Sequence, residues 1–163
     1  MVSDKLLVLS SLFLVAFAQL PPEITSGEQR VLFENEHSQS SVRSYTPDRD
    51  IYVPFVNVEG GEHEQWTLSK TQGGYTIGNV ATGGFIKAED KRLVTTTSEG
   101  NATTFAISPA GGDSYVIKLP YEDLVWTVQN PVNYQGAVIL APSVGSDAQL
   151  WYIDEADESC DVD

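Results

Sequence analysis

The feature that most constrains the fold is a short pattern that recurs at a similar spacing along the chain. An aromatic residue is followed two positions later by an aliphatic residue, starting at Trp66, Phe105 and Trp151. Side chains two apart point to the same face of a strand, so this alternation is typical of a half-buried strand. The occurrences lie 39 and 46 residues apart, a spacing that indicates a threefold repeat. We therefore expect three similar units that share one core, with these aromatic residues at its centre.

Short segments rich in β-branched and aromatic residues continue between these strands, separated by turns of Gly, Asn, Asp and Ser. The pattern predicts twelve strands, at residues 29–33, 42–45, 52–58, 66–69, 75–79, 85–87, 93–97, 104–108, 115–118, 124–128, 138–141 and 151–154. Grouped by fours, they form a first unit (27–69), a second unit (70–108) and a third unit (109–154), with glycine pairs at 73–74 and 111–112 near the junctions. Four strands cannot bury their own apolar face, so the three units should close around one core.

Both ends of the chain are predicted to lie outside this domain. Residues 6–17 are almost wholly apolar and Ala16-Phe17-Ala18 has the small residues that a signal peptidase requires, so residues 1–18 are predicted to be a secretory signal. The run is shorter than the roughly 20 residues of a membrane span. Residues 19–26 are expected to be an extended lead-in, residues 27–154 the domain, and residues 155–163 an acidic tail without the spacing of a calcium loop.

The charge balance limits the partners that we expect. The formal net charge is −14, and an acidic surface repels phosphate backbones and anionic lipids, so neither nucleic acid nor a membrane is an expected partner. The single cysteine, Cys160, excludes an internal disulfide and leaves open a disulfide between two chains.

No catalytic motif stands out in the sequence. His37 and His63 both lie in acidic segments, and the sequence has no Gly-x-Ser-x-Gly elbow, no His-Glu-x-x-His and no phosphate loop. We therefore expect no enzyme activity, no cofactor and no metal site. One modification signal is present, because Asn101-Ala102-Thr103 is an acceptor for N-glycosylation in a predicted loop.

Three four-strand units, the last ending in Gln149-Leu150-Trp151, have the pattern of a β-trefoil, and the chain resembles the ricin B-type lectins, also called family 13 carbohydrate-binding modules. The likeness is closest to small fungal members. It covers about residues 64–153 and rests on the segments 65–68, 73–83, 124–128, 136–140 and 149–151. This resemblance implies an all-β fold, a β-trefoil of three four-strand repeats, and a secreted protein that binds carbohydrate or the glycans of glycoproteins.

In this family a sugar site resembles a shallow pocket with an Asp that accepts hydrogen bonds, a stacking aromatic residue and an orienting Asn or Gln. In the third unit the Asp position corresponds to Thr127 and the stacking position falls near Leu140 or Ala141, so this sequence departs from the family pattern. Tyr134 could replace the stacking ring, because a phenol has an apolar face and a hydroxyl. The candidate carbohydrate-binding residues are Thr127, Asn130, Asn133, Tyr134, Ser143 and Gln149.

Two alternatives remain open at this point. The chain is also similar, at a lower level, to mushroom serine-protease-inhibitor trefoils, whose third unit carries strands like residues 124–128 and 138–142. Such an inhibitor would present one rigid exposed loop to an extracellular protease, either at Lys91 and Arg92 or within residues 142–147. The other alternative is a secreted trefoil that has lost sugar binding.

Overall fold

Twelve β-strands and three short 3-10 helices make up the regular structure of residues 30–56, 58–130 and 134–156, which are the residues that the computed structural model describes. The 3-10 helices span Gly61–Glu64, Glu99–Asn101 and Asp147–Gln149. The strands are β1 (Arg30–Asn35), β2 (Ser40–Ser41), β3 (Tyr52–Pro54), β4 (Trp66–Thr71), β5 (Gly74–Asn79), β6 (Phe85–Glu89), β7 (Arg92–Thr96), β8 (Ala106–Gly111), β9 (Ser114–Lys118), β10 (Leu124–Val128), β11 (Gln135–Pro142) and β12 (Trp151–Glu155).

Six of the strands close into a barrel. Antiparallel pairs join β1 to β4 and β12, β4 to β5, and β9 to β8 and β12. An isolated bridge between Tyr75 and Phe105 connects β5 to the start of β8 and completes the ring. The other six strands form the hairpins β2–β3, β6–β7 and β10–β11, which meet one another through the pairs β3–β11 and β7–β11. This is the all-β, three-unit β-trefoil that the sequence predicted.

The strand boundaries differ from the prediction at two hairpins. Strand β2 covers only Ser40–Ser41, because the chain after it meets β3 through a single bridge between Arg43 and Tyr52. The predicted strand over 42–45 is therefore wrong. Strand β3 ends at Pro54, well before residue 58, and β11 starts at Gln135 because its first residues pair with β3.

Several predictions lie outside the described residues. These are the signal (1–18), the lead-in (19–26), and residues 157–163 of the acidic tail with Cys160. In the part of the chain that the structure describes, no helix has the length and apolarity needed to cross a membrane.

The core contains five fully buried aromatic side chains, one of which is Phe33. Trp66, Phe105 and Trp151 are fully buried, which confirms the prediction from the repeated strand pattern. Trp126 joins them, with its ring centroid 5.3 Å from that of Phe105 and 5.8 Å from that of Trp151. The indole N–H of Trp66 donates to the carbonyl of Val42 at 3.0 Å, and that of Trp151 donates to the carbonyl of Trp126 at 3.3 Å. Val42 and Trp126 thus occupy corresponding places in the first and third units.

Buried asparagines fix two of the three 3-10 helices from a neighbouring unit. Asn35 donates its side-chain amide to the carbonyls of Ala148 and Leu150, at 3.2 and 3.0 Å. Asn79 donates in the same way to the carbonyls of His63 and Gln65, at 2.9 and 3.3 Å. Each helix ends two residues before a core tryptophan. The two amides therefore help to position the start of β4 and the start of β12.

Candidate functional site

Two of the predicted sugar-binding residues of the third unit contact each other. Gln149 is buried, and its Nε2 donates to Thr127 Oγ1 at 3.0 Å and to the carbonyl of Pro142 at 2.9 Å. Its Oε1 accepts from the backbone N–H groups of Val144 and Gly145, at 2.8 and 3.1 Å. The amide of Gln149 is therefore fully used in holding residues 142–145.

The remaining predicted residues of this unit do not join that pair. Asn130 and Ser143 are exposed, and Asn133 lies outside the described residues. Tyr134 is 73% exposed and lines a pocket whose other described walls come almost entirely from the first unit. The structure therefore separates Tyr134 from Thr127 and Gln149 and assigns it to a different surface.

This pocket, which we call the tyrosine pocket, has a volume of about 350 Å³. Four of the six large hydrophobic side chains that are exposed among the described residues belong to it, and they are Tyr45, Val56, Val58 and Tyr134. A cluster of exposed apolar side chains around a concavity marks a binding surface rather than ordinary solvated surface. The complete described lining is Arg43, Tyr45, Tyr52, Pro54, Val56, Val58, Tyr134 and Gln135.

The pairing of β3 with β11 brings Tyr134 to the first unit. Gln135 lies opposite Pro54, and the backbone N–H of Phe55 donates to the carbonyl of Tyr134 at 2.8 Å. Gly136 makes this approach possible, because a Cβ there would lie 2.9 Å from Phe55 Cε2. The backbone therefore holds Tyr134 over the tyrosine pocket although its own side chain is exposed.

Arg43 forms the buried wall of the tyrosine pocket. It follows Val42 as Thr127 follows Trp126, so it occupies in the first unit the place of Thr127 in the third. Its Nη2 lies 2.9 Å from Glu64 Oε2, and its Nε donates to the same oxygen at 3.1 Å. Nη2 also donates to the carbonyl of Val58. Gly60 leaves room for this ion pair, since a Cβ there would lie 2.6 Å from Arg43 Nε.

The aromatic wall of the pocket is a stack of three rings. Tyr45 lies nearly parallel to Tyr52, with centroids 6.0 Å apart and an interplanar angle of 21°. Tyr45 also contacts His63, with ring centroids 4.2 Å apart and an interplanar angle of 32°. His63 is fixed in turn, because its Nδ1 lies 2.9 Å from the carbonyl oxygen of Ser44 and its own carbonyl accepts from Asn79. The rings are thus held in position before any ligand is present.

Burial raises the pKa of the Tyr52 hydroxyl above its ordinary value. The neighbouring Tyr45 raises it further, and the positive charge of Arg43 lowers it in part. The direction means that Tyr52 keeps its proton throughout the neutral range and remains able to donate a hydrogen bond. Tyr52 therefore lines the pocket as a protonated phenol at physiological pH.

The sequence contained only a weak signal for this pocket. Tyr45, Tyr52, Val56 and Val58 fall within one short segment that is rich in aromatic and β-branched residues. Such a segment is also typical of an ordinary strand, and the structure shows that it leaves the sheet after Pro54. Exposure of these side chains, which the sequence does not reveal, distinguishes the two interpretations.

The alternative inhibitory residues lie in a tight turn. Asp90 and Lys91 have φ values of 49° and 67°, which gives a two-residue connection between β6 and β7. Arg92 forms an ion pair with Asp50, with Nη2 at 2.6 Å from Oδ1.

Asn101, the predicted glycosylation site, is exposed at the end of its 3-10 helix. Within the described ranges, no group of three or more His, Cys, Asp and Glu residues is placed to hold a metal ion.

Comparison with known proteins agrees with this architecture. The solved structures of similar fold include the Macrolepiota procera ricin B-like lectin in complex with lactose, with 18% identity, a TM-score of 0.69, and coverage of 80% of this chain and 98% of that chain. The Rhizoctonia solani agglutinin has 18% identity, a TM-score of 0.66 and coverage of 81% and 98%. The designed threefold-symmetric protein ThreeFoil has 17% identity, a TM-score of 0.68 and coverage of 78% and 99%. These likenesses establish the class of the fold, a β-trefoil.

The match to a family comes from the sequence itself. Residues 62–141 match the ricin-type β-trefoil lectin domain-like family. This stretch therefore has the sequence pattern of a ricin-type β-trefoil lectin domain, and the resemblance inferred from the sequence is confirmed. No curated protein matches the chain.

Proposed function

We propose that the protein is a secreted lectin that binds carbohydrate in the tyrosine pocket and catalyses no reaction. The observation that supports this most strongly is the concentration of exposed Tyr45, Val56, Val58 and Tyr134 around one concavity. The apolar face of a sugar ring stacks on an aromatic ring, while phenol hydroxyls and amides bond to its hydroxyl groups. The family match and the ring stack that holds Tyr45 both favour this function.

The tyrosine pocket is a better candidate than the predicted third-unit site because its polar groups are less occupied. Gln149 uses both ends of its amide within the protein, and Thr127 Oγ1 accepts from Gln149 and donates to the carbonyl of Val125 at 3.1 Å. A sugar hydroxyl could bond to them only if these internal hydrogen bonds were broken. A ligand in the tyrosine pocket meets no such cost at Tyr45 or Tyr134.

A glycan array followed by calorimetric titration of the best ligand tests the proposal. We expect binding at neutral pH, and we expect Tyr134→Ala to weaken it by roughly 2- to 10-fold, the range that corresponds to one aromatic contact of about 0.5–1.5 kcal/mol. Tyr121→Ala is the matched control, because Tyr121 is fully exposed and lies outside the pocket. Absence of glycan binding, or equal effects of the two substitutions, would contradict the proposal.

Secretion and N-glycosylation are part of the same proposal. The apolar run before Ala18 and the exposed position of Asn101 support them. Mass spectrometry of protein from a eukaryotic secretory host should show a chain that begins at Gln19 and carries a glycan that Asn101→Gln removes. A retained N-terminus would contradict secretion by this signal, and an unmodified Asn101 would contradict the glycosylation site.

The absence of enzyme activity is proposed from the lack of any catalytic motif in the sequence. Prolonged incubation with the sugars that bind, followed by mass spectrometry of the products, tests it. Hydrolysis that persists in independently purified preparations would show that the domain has a catalytic function.

Protease inhibition is a second candidate, favoured by the loop at residues 142–147 rather than by Lys91 and Arg92. Gln149 fixes the backbone of this loop from inside, and Val144 at its surface is 75% exposed. A loop held in one conformation loses little entropy when it binds a cleft. Micromolar protein should then slow trypsin, chymotrypsin or elastase, and Val144→Asp should abolish the effect. Unchanged activity of all three proteases would eliminate this function.

A further inference from the structure

The tyrosine pocket contains no carboxylate among its described lining residues, although the chain has 23 acidic residues. Its polar groups are a guanidinium, three phenols and one amide. Carboxylates are strong acceptors for the hydroxyl protons of a sugar, whereas a guanidinium can only donate. The pocket therefore suits a ligand that brings a hydrogen-bond acceptor of its own.

Arg43 has one donor nitrogen left for such a ligand. Its Nε and Nη2 are engaged by Glu64 and by the carbonyl of Val58, whereas its Nη1 has no hydrogen bond to any described residue. The hydroxyls of Tyr45, Tyr52 and Tyr134 likewise have no hydrogen-bond partner within the described ranges. Several donors thus border one small volume.

The acceptor that fits best is neutral. The charge of Arg43 is already offset by Glu64 at 2.9 Å, so a carboxylate in the pocket would not gain the attraction of an unpaired cation. The net charge of −14 adds a repulsive field for any anion. An amide carbonyl accepts the same hydrogen bond without carrying charge into the pocket.

The apolar part of the lining exceeds what a sugar ring alone requires. The tyrosine rings supply a stacking face, and Val56 and Val58, which are 45% and 53% exposed, add aliphatic surface beside Arg43. A methyl group attached to the acceptor carbonyl would cover part of this surface and remove it from water.

We propose that the tyrosine pocket selects sugars that carry an acetamido group. The acetamido carbonyl accepts a hydrogen bond from Arg43, its methyl group packs against Val56 and Val58, and the sugar ring lies on the tyrosines. This inference rests on the proposed carbohydrate-binding function and names the ligand class of the same pocket. Val56 and Val58 are then the residues that determine specificity.

Calorimetric titration with matched sugars tests the inference. The ligands are methyl glucoside and its N-acetylglucosamine counterpart, methyl galactoside and its N-acetylgalactosamine counterpart, and methyl glucuronide. We expect the acetamido sugar to bind about tenfold more tightly than its parent in at least one pair, since it adds one hydrogen bond and one buried methyl group. Glucuronide should bind no better than glucoside.

Two variants locate the selectivity. The double substitution Val56→Ser and Val58→Ser should reduce the preference for the acetamido sugar to about twofold or less, because the methyl group loses its apolar contact. Binding of the parent sugar, whose ring lies on the tyrosines, should weaken less than binding of the acetamido sugar. Val144→Ser is the control, since Val144 is also exposed but lies on a different loop outside the pocket, and this substitution should leave the preference unchanged. All three positions are exposed, so the variants should fold, which circular dichroism checks.

The possible outcomes distinguish a failure of the acetamido preference from a failure of carbohydrate binding itself. If each acetamido sugar binds as its parent does, or if the serine variant keeps the full preference, the inference is overturned while carbohydrate binding stands. If glucuronide binds most tightly, the pocket recognises an anion and the neutral-acceptor argument is wrong. If no sugar binds, here or on the glycan array, the proposed function is overturned and the inference falls with it.

Discussion

Trp126 and Trp66 are both fully buried in the core, yet their indole N–H groups are treated differently by the fold. Trp66 donates to the carbonyl of Val42 at 3.0 Å. Trp126 Nε1 has no hydrogen-bond partner among the described residues. Trp66→Phe should therefore create an unsatisfied buried polar group, whereas Trp126→Phe should remove one.

The magnitudes follow from what each variant leaves behind. Either substitution removes a similar part of a ring from the core, at a cost on the order of 1 kcal/mol for the space that remains. Trp66→Phe also leaves the carbonyl of Val42 without its donor, which adds about 1–3 kcal/mol. Trp126→Phe removes an unsatisfied donor and recovers about 1–3 kcal/mol. We expect Trp66→Phe to destabilise by about 2–4 kcal/mol and Trp126→Phe to be neutral or stabilising by up to about 2 kcal/mol.

Urea unfolding followed by fluorescence of the two remaining tryptophans measures both free energies of unfolding. The slope of the free energy against urea concentration should stay the same, so that the midpoints can be compared directly. Equal destabilisation by the two substitutions would refute the reasoning, because the N–H of Trp126 would then have a partner as effective as the carbonyl of Val42.

Three further predictions concern the residues around the tyrosine pocket and its neighbouring unit. Gly60→Ala should destabilise by about 1–3 kcal/mol and weaken sugar binding, because its Cβ would displace the Arg43–Glu64 pair. Gly100→Ala is the control, because its Cβ would have no neighbour nearer than 3.8 Å. This control should leave both the melting temperature and the sugar affinity unchanged. Gln149→Met should lower stability by about 2–5 kcal/mol and speed hydrogen exchange of the residue 144 and 145 amides. It should leave sugar affinity unchanged, and a loss of affinity would return the binding site to the third unit. The raised pKa of Tyr52 contributes stability that is complete below about pH 10 and is lost as pH rises through the folded-state pKa, so Tyr52→Phe should remove part of the alkaline loss in melting temperature. An unchanged alkaline profile would contradict this assignment.

The fold could be predicted because its signals are local. Trp66, Phe105 and Trp151 mark three strands through a two-residue alternation, and the glycine pairs mark the junctions between units. Trp126 shows the same alternation with Val128, but only the structure shows that it joins this core, in a place that Val42 holds in the first unit.

The candidate site depends on contacts that the sequence does not show. The sequence indicates Tyr134 as a candidate stacking residue, but its neighbours come from β3 and the residues around it, about eighty residues earlier in the chain. Arg43 lies in no motif, and only the structure shows that Glu64 pairs with it and holds it in the pocket wall. Gln149 has the residue type of a sugar ligand, and only its four hydrogen bonds show that the fold uses its amide.

The buried asparagines also link the three units to one another in the folded structure. Asn35 of the first unit secures a helix of the third, and Asn79 of the second secures a helix of the first. The corresponding residue of the third unit is Leu119, whose backbone N–H pairs with residue 124 as that of Asn79 pairs with residue 84. Its side chain has no polar atom to reach the helix at Glu99–Asn101. One of the three contacts between units thus lacks a side-chain amide, and the helix at that contact carries the predicted glycosylation acceptor Asn101, where an attached oligosaccharide would interrupt no such amide contact.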